Sequence, residues 1–273
     1  MTASALAAAE LPSDLVADDG LTVCSIAAVA AIVGDVLHEG LGDGAVALLS
    51  GAHSGVLSTV AWSSAFDSRL DAAGGTVVNL LAGAAFCLAL RNAKSAEIHL
   101  RLFLLLACAF NLFAGSGYFL FSGLSNFGDW AEAIAGTEWH GLWRTLLVLV
   151  GIGAYYGALR IVGTSFVRYV GVPLRPGRRR VKLSWLAYGT AVVLAALAAL
   201  GNPHGIGLLL ESALPASAGG DSGLLYWQYY IPKRTTPERP PDPLTRSYVW
   251  ISTALVLGIP FVGVLGRGIT LAR

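Results

Sequence analysis

The stretch GDVLHEGLGDGAVALL, residues 34–49, places four ionisable side chains within nine residues of an otherwise apolar run: Asp35, His38, Glu39 and Asp43. An ionisable group at mid-bilayer costs about 2.5 to 3.5 kcal/mol on insertion scales, so these groups need partners or water. On an α-helix the three carboxylates share one face and repel one another unless a cation or a proton is bound. We therefore predict a metal site here. The alternative is a polar, glycine-rich turn at the end of a membrane span.

The order of residues after His38 decides what kind of metal site this could be. In the metalloprotease motif HExxH, histidines at i and i+4 lie about 40° apart on the helix and bind one zinc ion. Here Gly42 takes the place of the second histidine, and Asp43 follows it. Residue i+5 lies about 140° around an ideal α-helix, so Asp43 can share a metal with His38 only through a local distortion. The neighbouring Gly40 and Gly44 would permit one.

The composition shows what kind of fold must hold this site. Of 273 residues, 55% are hydrophobic and 13% are charged, whereas a soluble domain has about 25% charged residues. The sequence predicts an all-α polytopic membrane protein of about six transmembrane helices, with a small β-element after the first span, where residues 56–62 alternate. The predicted spans are residues 21–49, 72–90, 98–123, 141–162, 183–200 and 249–265.

The charged segments outside the spans predict the orientation. The densest basic cluster, RPGRRRVK at residues 175–182, is expected to lie in the cytoplasm. Alternating the spans from there puts both termini in the cytoplasm. Because the cluster adjoins a span, it indicates a topology signal or an anionic-lipid contact, and nucleic acid is not an expected partner. Residues 1–20 are predicted to be a disordered acidic tail. The prolines near residues 231–246 predict an extended extramembrane loop within the polar segment 201–246.

Three segments together resemble the site-2 protease family of intramembrane zinc metalloproteases. LHEGLGDG is similar to the zinc-binding helix of that family. AAGGTVVNLLAG, residues 72–83, is similar to its small-residue span containing an asparagine. FNLFAGSGYFLFSGLSNFGDW, residues 110–130, is similar to the span ending in an aspartate that supplies the last metal ligand. The order matches over residues 21–130. The departures are the missing second histidine, the missing proline after Asn79, a longer asparagine-to-aspartate distance and Trp130 in place of glycine.

The resemblance implies a metal-dependent intramembrane hydrolase, peptidase-like, that acts on a membrane-embedded protein or peptide in a bacterial inner or plasma membrane. Residues 21–130 would form the metalloprotease-like core, and residues 131–273 would add further spans. Zinc is the implied metal, and an oxygen-rich ligand set also suits Fe²⁺ or Mn²⁺. The implied site consists of Glu39 as general base, His38, Asp43 and Asp129 as metal ligands, Asn79 and Asn111 as substrate-binding groups, and His53 as an alternative ligand.

The sequence is also consistent with two other functions. The missing second histidine favours a non-catalytic pseudoprotease, or a subunit of a membrane complex, that retains the fold. The three carboxylates Asp35, Glu39 and Asp43 could instead form a proton or cation path through a transporter.

Overall fold

A computed structural model describes residues 17–66, 68–93, 95–173, 177–238 and 240–272. Within these residues six helical segments are long and apolar enough to cross a membrane: Gly20–Ser50, Arg69–Asn92, Ile98–Ser125, His140–Val170, Arg178–Leu200 and Tyr248–Leu265. Each overlaps one predicted span, so the all-α polytopic fold is confirmed. Most of the predicted acidic tail, residues 1–16, lies outside the described residues.

The first span consists of three consecutive helical pieces, and the last of two. The helices are α1 (Gly20–Asp35), a π-helix (Val36–Ala45), α2 (Val46–Ser50), α3 (Arg69–Asn92), α4 (Ile98–Ser125), α5 (Asp129–Ala133), α6 (His140–Val170), α7 (Arg178–Leu200), α8 (Gly205–Leu208), α9 (Gly223–Tyr226) and α10 (Tyr248–Pro260), which a π-helical turn extends over Phe261–Leu265. The strands are β1 (Ser54–Leu57), β2 (Trp62–Ser64) and β3 (Ile269–Ala272).

Local sequence explains where the two helices that build the site begin. The carboxylate of Asp19 caps α1 by accepting hydrogen bonds from the Thr22 backbone N–H, at 2.9 Å, and from its hydroxyl. Ser68 and Asp71 form a reciprocal capping box at the start of α3. Such caps satisfy backbone donors that have no partner within the helix. The most buried of the six spanning segments is α4, and it packs between α3 and α6.

The β-element is an antiparallel three-stranded sheet in the order β2-β1-β3. The predicted small β-element is confirmed, because Val56 pairs with Ser63 and Leu57 pairs with Trp62. The third strand comes from the last described residues, and Ser54 pairs with Ala272. No local pattern predicts this strand, since its partner β1 lies more than two hundred residues away in the chain.

The two ends of the described chain lie at opposite ends of the helix bundle. We call the end that carries the three strands the sheet end. We call the other end, formed by residues 17–19, 97–101, 169–173, 177–182 and 240–248, the basal end. At the basal end the Asp19 N–H donates to the Leu244 carbonyl, whereas β3 pairs with β1 at the sheet end. Residues 17–19 and 269–272 therefore lie at opposite ends of the bundle, whereas the predicted topology places the residues before the first span and after the last span on one side of the membrane.

The reason is that residues 205–229 carry the chain through the bundle once more, in short helical pieces. Ser212 donates to the Val60 carbonyl near the sheet end. Further along, the Trp227 ring stacks on Phe166 and donates to Ser184 near the basal end. Irregular backbone is tolerated at this depth when protein buries it. The polar segment 201–246 therefore enters the bundle over residues 205–229, whereas residues 231–238 and 240–246, within the predicted extended loop, contain no helix or strand.

Candidate metal centre

The first span changes from an α-helix to a π-helix at the predicted distortion. The π-helix covers Val36–Ala45 and includes all three glycines of the motif. Its hydrogen bonds join residues i and i+5, so residue i+5 lies about one turn above residue i. Asp43 therefore faces the same point as His38, and the distance from His38 Nε2 to Asp43 Oδ2 is 3.6 Å. The aspartate occupies the position that a second histidine would occupy in an α-helical HExxH motif.

The π-helix lies directly against the backbone of α3. A Cβ atom on Gly42 would be 2.3 Å from the Gly75 Cα, and one on Gly74 would be 2.0 Å from the Gly42 carbonyl oxygen. Only glycine allows this approach. The Gly75 N–H donates to Asp43 Oδ1 at 2.7 Å, and a Cβ on Gly75 would be 2.5 Å from His38 Nε2. Gly74 and Gly75 therefore leave space for His38 and Asp43, and the Gly75 N–H holds the Asp43 carboxylate in place.

The third ligand enters from the turn that follows α4. Asn126 has a left-handed backbone with φ 56°, and Gly128 has φ 81°, so the chain reverses there and Asp129 begins α5. Asp129 Oδ2 lies 3.4 Å from His38 Nε2. Candidate ligand atoms of His38, Asp43 and Asp129 all lie within 4.8 Å of one another. The structure thus brings together the three residues that the sequence predicted as ligands.

The spacing of these atoms fits a metal ion. Bonds of 2.0 to 2.2 Å in a tetrahedral site separate neighbouring ligand atoms by about 3.3 to 3.6 Å. The distances of 3.4 and 3.6 Å from the histidine nitrogen match this range. In addition, Asp129 Oδ2 is buried without a hydrogen-bond partner. Three protein ligands leave a fourth position open, as in catalytic sites, and one nitrogen with two carboxylates suits Zn²⁺, Fe²⁺ or Mn²⁺.

Glu39 lies at the boundary between two cavities. Its side chain is only 6% exposed, and Oε2 is buried without a hydrogen-bond partner. A cavity of about 720 Å³ is lined by Glu39 together with Asp43 and Asp129. A smaller cavity of about 100 Å³ is lined by Glu39 together with His38. Glu39 can therefore reach both the candidate metal position and the larger cavity.

The other predicted site residues lie in three different environments. Asn79 is buried, its Oδ1 has no partner, and it lines the small cavity. Asn111 is fully buried, donates to the Ala107 carbonyl and lines neither cavity. Its predicted contact with substrate therefore has no support from the geometry. His53 is exposed just before β1 and is not among the three residues whose ligand atoms converge.

Two residues of the site were missed by the sequence analysis. Tyr118 lines both cavities and stacks on His38, with ring centroids 4.7 Å apart. Asp221 lines the small cavity opposite the first span; it is 7% exposed, and its Oδ1 has no partner. The sequence signal for Asp221 was an acidic residue in the glycine-rich run AGGDSG. Because Asp221 lies outside the predicted spans, the sequence did not indicate that it is buried in the bundle.

Comparison of the chain with protein-family models, with curated proteins and with solved structures finds no match.

Proposed function

We propose that this protein is a metal-dependent hydrolase of the membrane, with peptidase-like chemistry, as the resemblance to site-2 proteases implies. One observation carries the proposal. The π-helix brings Asp43 one turn from His38, and Asp129 completes a set of three ligand atoms that lie within 4.8 Å of one another. A buried carboxylate without a partner, Glu39, adjoins this set. The arrangement supplies three ligands, an open position and a base.

Each side chain has a role in this chemistry. A divalent ion at this position would lower the pKa of water towards about 7 and polarise a scissile carbonyl group. Glu39 accepts the proton from the attacking water and returns it to the leaving amine. Tyr118, stacked on the His38 ring, fixes the direction of the histidine nitrogen. Asn79 faces the small cavity behind the site, and its predicted contact with substrate stays a prediction.

The larger cavity supports an extended peptide as the substrate. Ala61, Trp62, Ser63 and Ser64 line it, and β2 is at one edge of the described three-stranded sheet. An edge strand presents unpaired backbone N–H and C=O groups that can bind an extended chain. A substrate strand bound beside β2 would bring its backbone carbonyl groups along the wall that contains Glu39.

The test begins with metal content. We expect near-stoichiometric divalent metal in the detergent-purified protein, measured by elemental analysis. His38→Ala and Asp129→Asn should remove it, whereas His53→Ala, at an exposed histidine outside the group, should keep it. Glu39→Gln should keep the metal and lower hydrolysis of a reconstituted membrane peptide by about a hundredfold or more. Absence of metal from the wild-type protein would refute the proposal and favour the non-catalytic alternative.

A second candidate function rests on the small cavity. Asp35, Glu39 and Asp221 line it, and each has a buried carboxylate oxygen without a hydrogen-bond partner. Unpaired carboxylates in a membrane protein are typical of proton or cation paths. Asp221→Asn separates the two functions, because it leaves the metal ligands intact. Loss of proton flux across proteoliposomes in this variant, with metal content unchanged, would favour the transporter.

A further inference from the structure

The larger cavity is lined by side chains of one sign of charge. Its carboxylates come from the π-helix, from α3, from α5 and from the segment 205–229. They are Glu39, Asp43, Asp71, Asp129, Glu132 and Glu211. Among the described residues that line this cavity there is no lysine, arginine or histidine. A divalent ion bound between Asp43 and Asp129 would offset only part of this negative charge.

Aromatic rings form much of the remaining wall. They are Trp62, Phe66, Tyr118, Phe121, Phe127 and Tyr155. The faces of such rings attract cations through their quadrupole. Carboxylates interleaved with aromatic rings therefore form a surface that binds an apolar chain bearing an ammonium or guanidinium group. Low-dielectric walls focus the field of the carboxylates inside the cavity.

The charges divide into an inner and an outer group. The inner group is Glu39, Asp43 and Asp129 at the metal centre. The outer group is Asp71, Glu132 and Glu211, which lie on separate elements. Asp71 is held by the capping box of α3, since Ser68 donates to it from both its N–H and its hydroxyl. The side chains of Glu132 and Glu211 are exposed and lie on elements separated in the sequence.

Burial of Glu39 indicates that the cavity is built for a ligand of opposite charge. Its side chain is more than nine-tenths buried, and Oε2 lacks a partner. An uncompensated carboxylate in such a place is costly. A bound cationic group close to the metal position would lower that cost, whereas a bound acidic group would raise it.

Building on the proposed function, we infer that the larger cavity selects membrane-embedded peptide segments that carry a lysine or arginine side chain close to the bond presented to the metal centre. The charge of the outer carboxylates attracts the basic side chain. The aromatic walls hold its aliphatic stem and the apolar residues around it.

The test measures binding without turnover, so that it does not depend on hydrolysis. Wild-type protein in zwitterionic nanodiscs, with metal removed by a chelator, is titrated with fluorescent apolar peptides that differ at one position: lysine, glutamine or glutamate. We expect the lysine peptide to bind about tenfold more tightly than the glutamine peptide. The glutamate peptide should bind most weakly. Raising the salt concentration should reduce the preference for lysine, and empty nanodiscs give the background.

Variants identify which carboxylates cause the preference for the lysine peptide. The double variant Glu132→Gln with Glu211→Gln should reduce the ratio of lysine to glutamine binding several-fold. Glu138→Gln, an exposed glutamate six residues beyond Glu132 that does not line the cavity, should leave it unchanged. Equal binding of the lysine and glutamine peptides would overturn the inference, as would a preference that survives the double variant. Neither result depends on metal content or hydrolysis, so the proposed function would be judged separately.

Discussion

The basal end and the candidate metal centre both bury charged side chains, but they satisfy them differently. At the basal end Arg179 pairs with Asp18 through two nitrogens, at 2.9 and 3.1 Å, and both side chains are almost fully buried. Asp18 also accepts from the Leu244 N–H. Arg101 donates to the Tyr169 carbonyl. At the metal centre, by contrast, one histidine faces two carboxylates.

This difference distinguishes charged side chains that stabilise the fold from charged side chains that are candidates for binding a metal. Removing one partner of a buried ion pair is strongly destabilising, so such a pair fixes the segments that carry it. The basal pair joins the residues before α1 to α7, and a further bond from Arg179 to the Asp242 carbonyl includes the proline-rich loop. The predicted lipid-facing basic cluster is thus partly internal, because Arg179 and Arg180 are buried. At the candidate metal centre the carboxylates face one another without such a partner, which supports the proposed metal site.

Breaking the basal pair should produce the largest loss of stability. Arg179→Met leaves the buried Asp18 without its cation, which typically costs about 3 to 5 kcal/mol. We expect a marked fall in the melting temperature of the detergent-solubilised protein. Arg178→Met, at the exposed neighbouring arginine, is the matched control and should change little. If both variants melt alike, the pair does not hold the basal end together.

The second-largest loss of stability is expected from adding a methyl group where the π-helix contacts α3. In Gly75→Ala the new methyl group would meet the His38 ring and the Asp43 carboxylate, which should cost about 1 to 3 kcal/mol through overpacking. Metal affinity, measured by competition with a chromophoric chelator, should fall by about tenfold to a hundredfold. Gly153→Ala in α6 meets no atom within 4 Å and should be neutral or slightly stabilising. Unchanged metal affinity in Gly75→Ala would contradict the assigned geometry.

In the absence of metal, removing a charge from the candidate metal centre should raise stability, whereas removing one at the basal end should lower it. Asp43→Asn keeps an oxygen for the Gly75 N–H and removes a buried charge that Asp129 and Glu39 repel and that His38 attracts only when its imidazole is protonated. Without metal we expect stabilisation of about 0.5 to 2 kcal/mol. With metal present the order should reverse, because wild-type protein gains binding energy that the variant lacks. Melting curves with chelator and with added Zn²⁺ check both parts. Destabilisation without metal would mean that Asp43 is structural.

The smallest expected effect concerns pH and the cap of α1. The Thr22 backbone N–H, its hydroxyl and Arg246 hold the pKa of Asp19 below its ordinary value of 3.8. Between the two pKa values the unfolded chain binds more protons, so the contribution of Asp19 is present above the unfolded pKa and is lost as pH falls through the folded pKa. Asp19→Asn should therefore flatten the acid limb of the stability curve, measured by chemical unfolding. Glu138→Gln should retain the wild-type slope, and an unchanged slope in Asp19→Asn would refute the assignment.

The sequence alone determined the spans and most of the metal centre. Runs of Leu, Val and Ala long enough to cross a bilayer predict helices without knowledge of their neighbours. The cost of placing ionisable groups in such a run indicated a site around His38 and Glu39. The glycines beside Asp43 indicated where the helix would distort. The spans and the position of the helix distortion were predicted correctly because each rests on residues close together in the chain.

Only the tertiary structure decided how the parts meet. The π-helical winding that turns Asp43 towards His38 is matched by close contact with α3, through Gly74 and Gly75. The third strand, the additional passage of residues 205–229 and the buried position of Asp221 likewise depend on partners distant in the chain. Local periodicity and composition contain no information about such partners, because the free energy that selects these conformations comes from contacts that form only when the bundle assembles.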